Sequence, residues 1–221
     1  MAIFLLACLL NPGQASLLGK LEIPGTATDL SGLNGKLNDG SPANLLGGIG
    51  SALASGGKPG EFFVLPDRGP GDGAANYPCR WHQVTLSLAP DGKPAFTLRK
   101  TTLLQDRNGQ PFQGLAADLK NRMDPEGLRV GPWPACVPQR RNRVGPAFYI
   151  SEEYEPKVAL FQQDGTLALD LPTPAKLRVS QPNQDAETEL AHNKQGRQPN
   201  TGFEGLALDP EGRELWAATQ G

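Results

Sequence analysis

Histidine is nearly absent from this chain: His82 and His192 are the two among 221 residues. Cysteine is scarce as well, present as Cys8, Cys79 and Cys136, so the nitrogen and sulfur donors that zinc prefers are too few for a zinc centre. No apolar run reaches the ~18 residues that a membrane-spanning helix needs, and no membrane span is expected. An excess of charge of one sign is also missing. Lys and Arg number 21 against 23 Asp and Glu, a net charge of −2, which gives no electrostatic case for nucleic acid or an anionic membrane as main partner. Several catalytic motifs are lacking too. There is no Gly-x-Ser-x-Gly elbow, no Gly-x-x-x-x-Gly-Lys-Ser/Thr loop, no His-Glu-x-x-His pair and no Arg-His-Gly signature. Their absence removes the serine α/β-hydrolase, P-loop, zinc-protease and histidine acid phosphatase plans.

Glycine and proline are plentiful, at 27 and 21 residues, as suits many short strands joined by turns. A recurring unit organises them. An acid stands before Gly-Leu in Asp29-Leu30-Ser31-Gly32-Leu33, in Asp124-Pro125-Glu126-Gly127-Leu128 and in Phe203-Glu204-Gly205-Leu206-Ala207. In the first two units an apolar run ending in acids follows, as Phe62–Arg68 and Phe148–Glu153; in the third it is Glu214–Thr219, two residues from the end. Asp29–Leu33 is expected to open the first unit, with a Gly-rich insertion over Leu45–Gly60 and a strand at Glu61–Leu65. A hairpin then runs from His82–Leu88 through Asp91-Gly92 to Ala95–Leu98. The second unit repeats this order as Glu126–Val130, Ala147–Ser151, Lys157–Gln162 and, after Asp164-Gly165, Leu167–Leu171. Leu115–Arg122 is a candidate helical turn, and Pro172–Gly202 reads as a polar loop. The expectation is an all-β chain, a β-propeller of four-stranded blades that is incomplete, with about two and a half blades and truncation inside a unit.

Ala2–Leu10 is apolar and is followed by Gly13 and Ala15, small residues that suit cleavage after Ala15. Residues 1–15 therefore read as a signal peptide without its basic n-region, and 16–221 as the propeller domain of a secreted or periplasmic protein. A buried first strand is the alternative, and Leu5-Leu6-Ala7-Cys8 is a weak lipoprotein box. Cleavage would leave Cys79 and Cys136, either as a disulfide joining the first two units or as two separate thiols.

On three segments the chain resembles the phytase-like family, described by an esterase-like activity. They are Asp29–Leu33 with Leu65-Pro66-Asp67-Arg68-Gly69-Pro70, Asp124–Leu128 with Ser151-Glu152-Glu153-Tyr154, and Gly202–Leu208. The resemblance spans most of Thr28–Gly221 and implies a β-propeller that hydrolyses ester or phosphoester bonds. A small anionic or ester substrate is the expected partner.

In such a fold, acids at the start of the innermost strands gather at one mouth. Asp29, Asp67, Glu126 and Glu204 are the candidate metal ligands, with Glu152 and Glu153 nearby. An all-oxygen donor set suits Ca²⁺, which takes about 6–8 oxygens. Arg68 is the candidate for gripping substrate oxygens, and Glu153 for taking a proton from attacking water. The competing reading makes the acids turn-capping groups that only hold backbone amides. Two further functions stay open, a non-catalytic binding module working through Leu45–Gly60 and Pro172–Gly202, and a lactonase-like sugar-acid hydrolase. His82 and His192 read as structural or exposed, and Arg140-Arg141-Asn142-Arg143 as a solvated patch.

Overall fold

Asp91-Gly92 and Asp164-Gly165 each turn one strand back onto the next, with φ of 78° at Gly92 and 88° at Gly165. Only glycine takes such values without strain, and each Asp helps by accepting a hydrogen bond from the amide two residues on. The computed structural model describes residues 2–7, 16–135, 137, 145–193 and 201–220. Among them, almost all regular structure is antiparallel β-sheet.

The first four-stranded sheet is a meander of β3 (Ala52–Ser55), β4 (Glu61–Leu65), β5 (Arg80–Leu88) and β6 (Pro94–Leu103), named after two earlier strands, β1 (Ala2–Ala7) and β2 (Ser16–Glu22), which pair with each other. The second is a meander of β7 (Pro125–Gly131), β8 (Ala147–Glu152), β9 (Lys157–Phe161) and β10 (Leu167–Asp170). A two-stranded sheet follows from β11 (Phe203–Leu208) and β12 (Leu215–Thr219). The second meander, β11 and β12 lie where the repeated apolar runs place them.

The first unit differs. Asp29–Leu33 forms no strand; the Asp29 carboxylate accepts the Ser31 amide at 2.8 Å and Gly32 takes a φ of 73°, which bends the chain. The opening strand is β3, inside the stretch expected to be a Gly-rich insertion. Leu115–Arg122 is a series of turns around Asp118 rather than a helix. The expected loop Pro172–Gly202 holds a 3-10 turn at Ala175–Leu177 and a short helix, α1 (Ala186–His192). Asp185 caps α1 by accepting the Thr188 amide at 2.7 Å.

The strand β8 is buried along its whole length, and its alternating residues serve two cores. Phe148 and Ile150 enter a cluster with Phe63, Leu65 and Trp81 of the first sheet and with Leu104 just after it. Phe148 stacks on Trp81 with ring centres 4.4 Å apart and meets Phe63 edge-on at 4.9 Å. Ala147 and Tyr149 enter a second cluster with Phe203 and Leu206 of β11. The second sheet is thus covered on one face by the first sheet and on the other by β11. One hydroxyl stitches the latter junction: Ser151 Oγ accepts the Gly127 amide at 2.7 Å and donates to the Glu204 carbonyl at 3.1 Å.

The Cys79–Cys136 disulfide is corrected on one side. Cys79 is a buried free thiol whose Sγ donates to the Met123 carbonyl at 3.3 Å, and burial raises its pKa well above the usual value. Cys136, Cys8, the expected cleavage position at Ala15 and the Arg140–Arg143 run lie outside the described residues. No helix among the described residues is long and apolar enough to cross a membrane.

Candidate metal centre

Asp67 and Arg68 follow the end of β4, Glu126 lies at the start of β7, Glu152 ends β8 with Glu153 directly after it, and Glu204 lies at the start of β11. Stacking the sheets brings these strand ends together. Asp124, Glu126 and Glu153 each offer a carboxylate oxygen, and the three atoms lie within 4.8 Å of one another. The carboxyls of Asp124 and Glu126 act on each other's ionisation, as do those of Glu153 and Glu204.

Arg68 is embedded in this acidic group. Its Nη1 donates to Asp124 Oδ2 at 2.5 Å and lies 3.5 Å from Glu153 Oε2, while its backbone amide donates to Asp124 Oδ1 at 3.1 Å. On its outer side Nε donates to Asp72 Oδ1 at 2.8 Å. The Arg68 peptide is fixed from behind by Gly114, where a Cβ would overlap the Arg68 carbonyl. Tyr154 supports both: its hydroxyl donates to the Gly114 carbonyl at 2.9 Å, and its ring lies between Arg68 and Arg122 at 5.7 and 5.0 Å from their guanidinium carbons.

Burial pushes the Glu126 carboxyl up to about 7, and the charges of Glu204, Asp67 and Glu153 add to it. Burial also raises Glu204, with help from Glu153. Asp124 is raised by burial against the pull of Arg68, with Glu126, Glu152 and Glu153 pushing further in the same direction. Burial works against the charge on Arg68, yet Asp124, Tyr154 and Asp72 outweigh it and hold its pKa above the ordinary value. Carboxylates crowded in this way favour a bound cation.

Of the sequence-predicted ligands, Glu126 lies in the close group, while Asp67 and Glu204 stand near enough for their charges to raise it. Asp67 also accepts the Gly69 amide at 2.7 Å. Glu153 and Arg68, expected to act on substrate, lie in the same place.

Asp29 is engaged elsewhere. It forms a fully buried ion pair with Arg80, whose guanidinium also lies over the Tyr77 ring at 4.0 Å and donates to the carbonyls of Ala43 and Pro78. Glu152 is likewise occupied, accepting the amides of Asp124, Tyr154 and Glu155. Asp124 was not among the predicted ligands although it is two residues from Glu126. In extended backbone that spacing puts both side chains on one face.

The family model described as Phytase-like, esterase-like activity of phytase, matches residues 44–221. A curated relative from Arthroderma benhamiae, described as an uncharacterized secreted protein, is 26% identical over 258 residues, covering 92% of this chain and 48% of the relative. The chain therefore spans about half the length of that relative. No solved structure matches this chain.

Proposed function

Because the chain belongs to the phytase-like family, we propose that it is part of an exported hydrolase of ester or phosphoester bonds, with a calcium-type site at the strand ends around Glu126. The carrying observation is the approach of Asp124, Glu126 and Glu153 to within 4.8 Å of one another beside Arg68. The donor set fits the ion: every ligand is a hard carboxylate oxygen, and the repulsion that adds to burial in raising Glu126 is relieved by positive charge. Asp124, Glu126 and Glu153 would hold the cation, with Asp67 and Glu204 beside them. Bound there, a divalent cation supplies Lewis-acid polarisation of a phosphoryl or acyl oxygen.

The chain's own residues divide the remaining work. Arg68 is suited to paired hydrogen bonds with the anionic oxygens of the substrate. The Glu153 carboxylate takes the proton of the attacking water as the new bond to phosphorus or carbon forms, the bond to the ester oxygen breaks, and the alkoxide leaves as the alcohol by taking a proton from solvent. A cavity of about 280 Å³ walled by Ile23, Leu46, Ile49, Asp67 and Pro70 receives the organic portion, with Asp67 at its edge. The stacked sheets are read as neighbouring blades of a propeller whose mouth is the acidic group. Export rests on the apolar Ala2–Leu10 run and on the secreted relative.

The test is turnover of a chromogenic phosphomonoester and a chromogenic carboxyl ester, with calcium and with chelator. Calcium-dependent turnover that falls at least about a hundredfold in Glu153→Gln supports the reading. Folded protein that turns over neither substrate in either condition refutes the hydrolase.

A further inference from the structure

The carboxylates of the candidate centre already have a positive group among them. Arg68 Nη1 reaches Asp124 at 2.5 Å and Glu153 at 3.5 Å, and these are two of the three residues of the close carboxylate group. The other edge of the same guanidinium is held by a residue outside that group. Nε and Nη2 both engage Asp72 Oδ1 at 2.8 Å. The Asp124 side chain is fully buried, that of Arg68 is 16% exposed, and that of Asp72 is 84% exposed. The guanidinium thus bridges a buried seat and a solvent-facing one. Asp72 stands in the left-handed region at a φ of 53°, between Gly71 and Gly73, a conformation that aspartate tolerates better than most side chains.

We propose that Arg68 is the resident counter-cation of this centre, and that a divalent cation displaces it from Asp124 and Glu153 while Asp72 keeps hold of it; this rests on the cation-site reading above. A guanidinium and a divalent ion compete for the same carboxylate oxygens, and water screens their mutual repulsion poorly in a buried site. Leaving Asp124 exposes no unpaired charge, because Nε and Nη2 are already bonded to Asp72. The freed Nη1 then faces out beside the cation, where it can meet an anionic substrate group. Arg68 is in this account a positioning residue for the empty state and a binding residue for the loaded one.

Calorimetric titration of the full chain with calcium chloride tests this across wild type, Arg68→Gln, Asp72→Asn, the double variant and Glu126→Gln. Arg68→Gln should bind calcium about ten- to a hundredfold more tightly than wild type, the scale of one or two charged hydrogen bonds. Asp72→Asn should weaken binding in the wild-type background and change it little in Arg68→Gln, since its effect runs through the arginine. Equal weakening by Asp72→Asn in both backgrounds, which a plain loss of negative charge would produce, overturns the inference. So does Arg68→Gln binding no tighter than wild type while Glu126→Gln loses binding; the cation site then stands and Arg68 is no competitor. Absence of calcium binding in every folded variant removes the cation site and the inference together. Should Arg68→Gln fail to fold, the exposed Asp72→Asn decides alone, and unchanged affinity there overturns the displacement.

Discussion

Lowering the pH from 7.5 to 4 should weaken the fold through one buried imidazole, that of His82. Its ring is fully buried in β5, with Nδ1 at 2.9 Å from Thr101 Oγ1 and Nε2 at 2.9 Å from the Leu46 carbonyl. Thr101 Oγ1 already accepts the Leu30 amide at 3.0 Å, so its hydroxyl proton is free to point at Nδ1. The ring is therefore neutral, accepting at Nδ1 and donating from Nε2. Burial lowers its pKa from 6.5 to about 4, with Arg80 adding to the effect. The folded value is the depressed one, so the stability it protects is complete above 6.5 and drains away as the pH falls through about 4.

At ~1.36 kcal/mol per unit, the loss amounts to about 2 kcal/mol at pH 5 and about 3 kcal/mol at pH 4. The assay is urea unfolding of wild type and His82→Gln between pH 7.5 and 4. The other titrating groups are common to both chains, and their difference isolates the imidazole. Wild type should lose about 3 kcal/mol relative to the variant across that range. A difference that stays flat, or an imidazole resonance titrating near 6.5, would refute the assignment.

Four further outcomes follow from the packing and the charges. Phe148→Ala should destabilise by about 3–5 kcal/mol in thermal or urea unfolding, because it removes the ring stacked on Trp81 between two sheets. Asp29→Asn should cost about 3–5 kcal/mol in the same assay by stranding the buried Arg80 charge, and Asp29→Leu with Arg80→Met should recover much of the loss. Ser151→Ala should cost about 1–3 kcal/mol, since the Gly127 amide then loses its acceptor. Glu126, raised to about 7, destabilises the fold increasingly as pH rises through that value; in chelator at pH 8, Glu126→Gln should be the more stable chain by about 1–2 kcal/mol, discounted for partial exposure, and calcium should reverse the order.

The second sheet was legible because its residues obey one local rule throughout. Short apolar runs punctuated by an Asp-Gly turn mark β7–β10 without help from distant residues. Glu126 and Glu204 each stand directly before the glycine of an opening strand, a local pattern that the sequence alone displays. Asp29 misled because it stands three residues before its glycine, where its carboxylate closes a turn and pairs with Arg80. Asp124 was passed over because its role depends on Arg68, 56 residues earlier, and only stacking of the sheets makes that contact. The helix α1 had too weak a local signal, being seven residues long; the ion pair of Glu189 with Arg122 at 3.2 Å secures it from outside.

The double coverage of β8 also sets an order of opening. Each meander is joined by short-range turns, but no local fluctuation can uncover a strand gripped on both faces. The amides of Phe148 to Ser151 should exchange with solvent only when the sheets part, and so report the free energy of global unfolding. Those of β12, an exposed strand paired on one side to β11, should exchange through small local openings. The acids at the ends of β7 and β8 share that unit, whereas the Asp72 side chain stands in solvent outside it. One arginine thus ties the end of the slowest-exchanging strand to a carboxylate that water reaches freely.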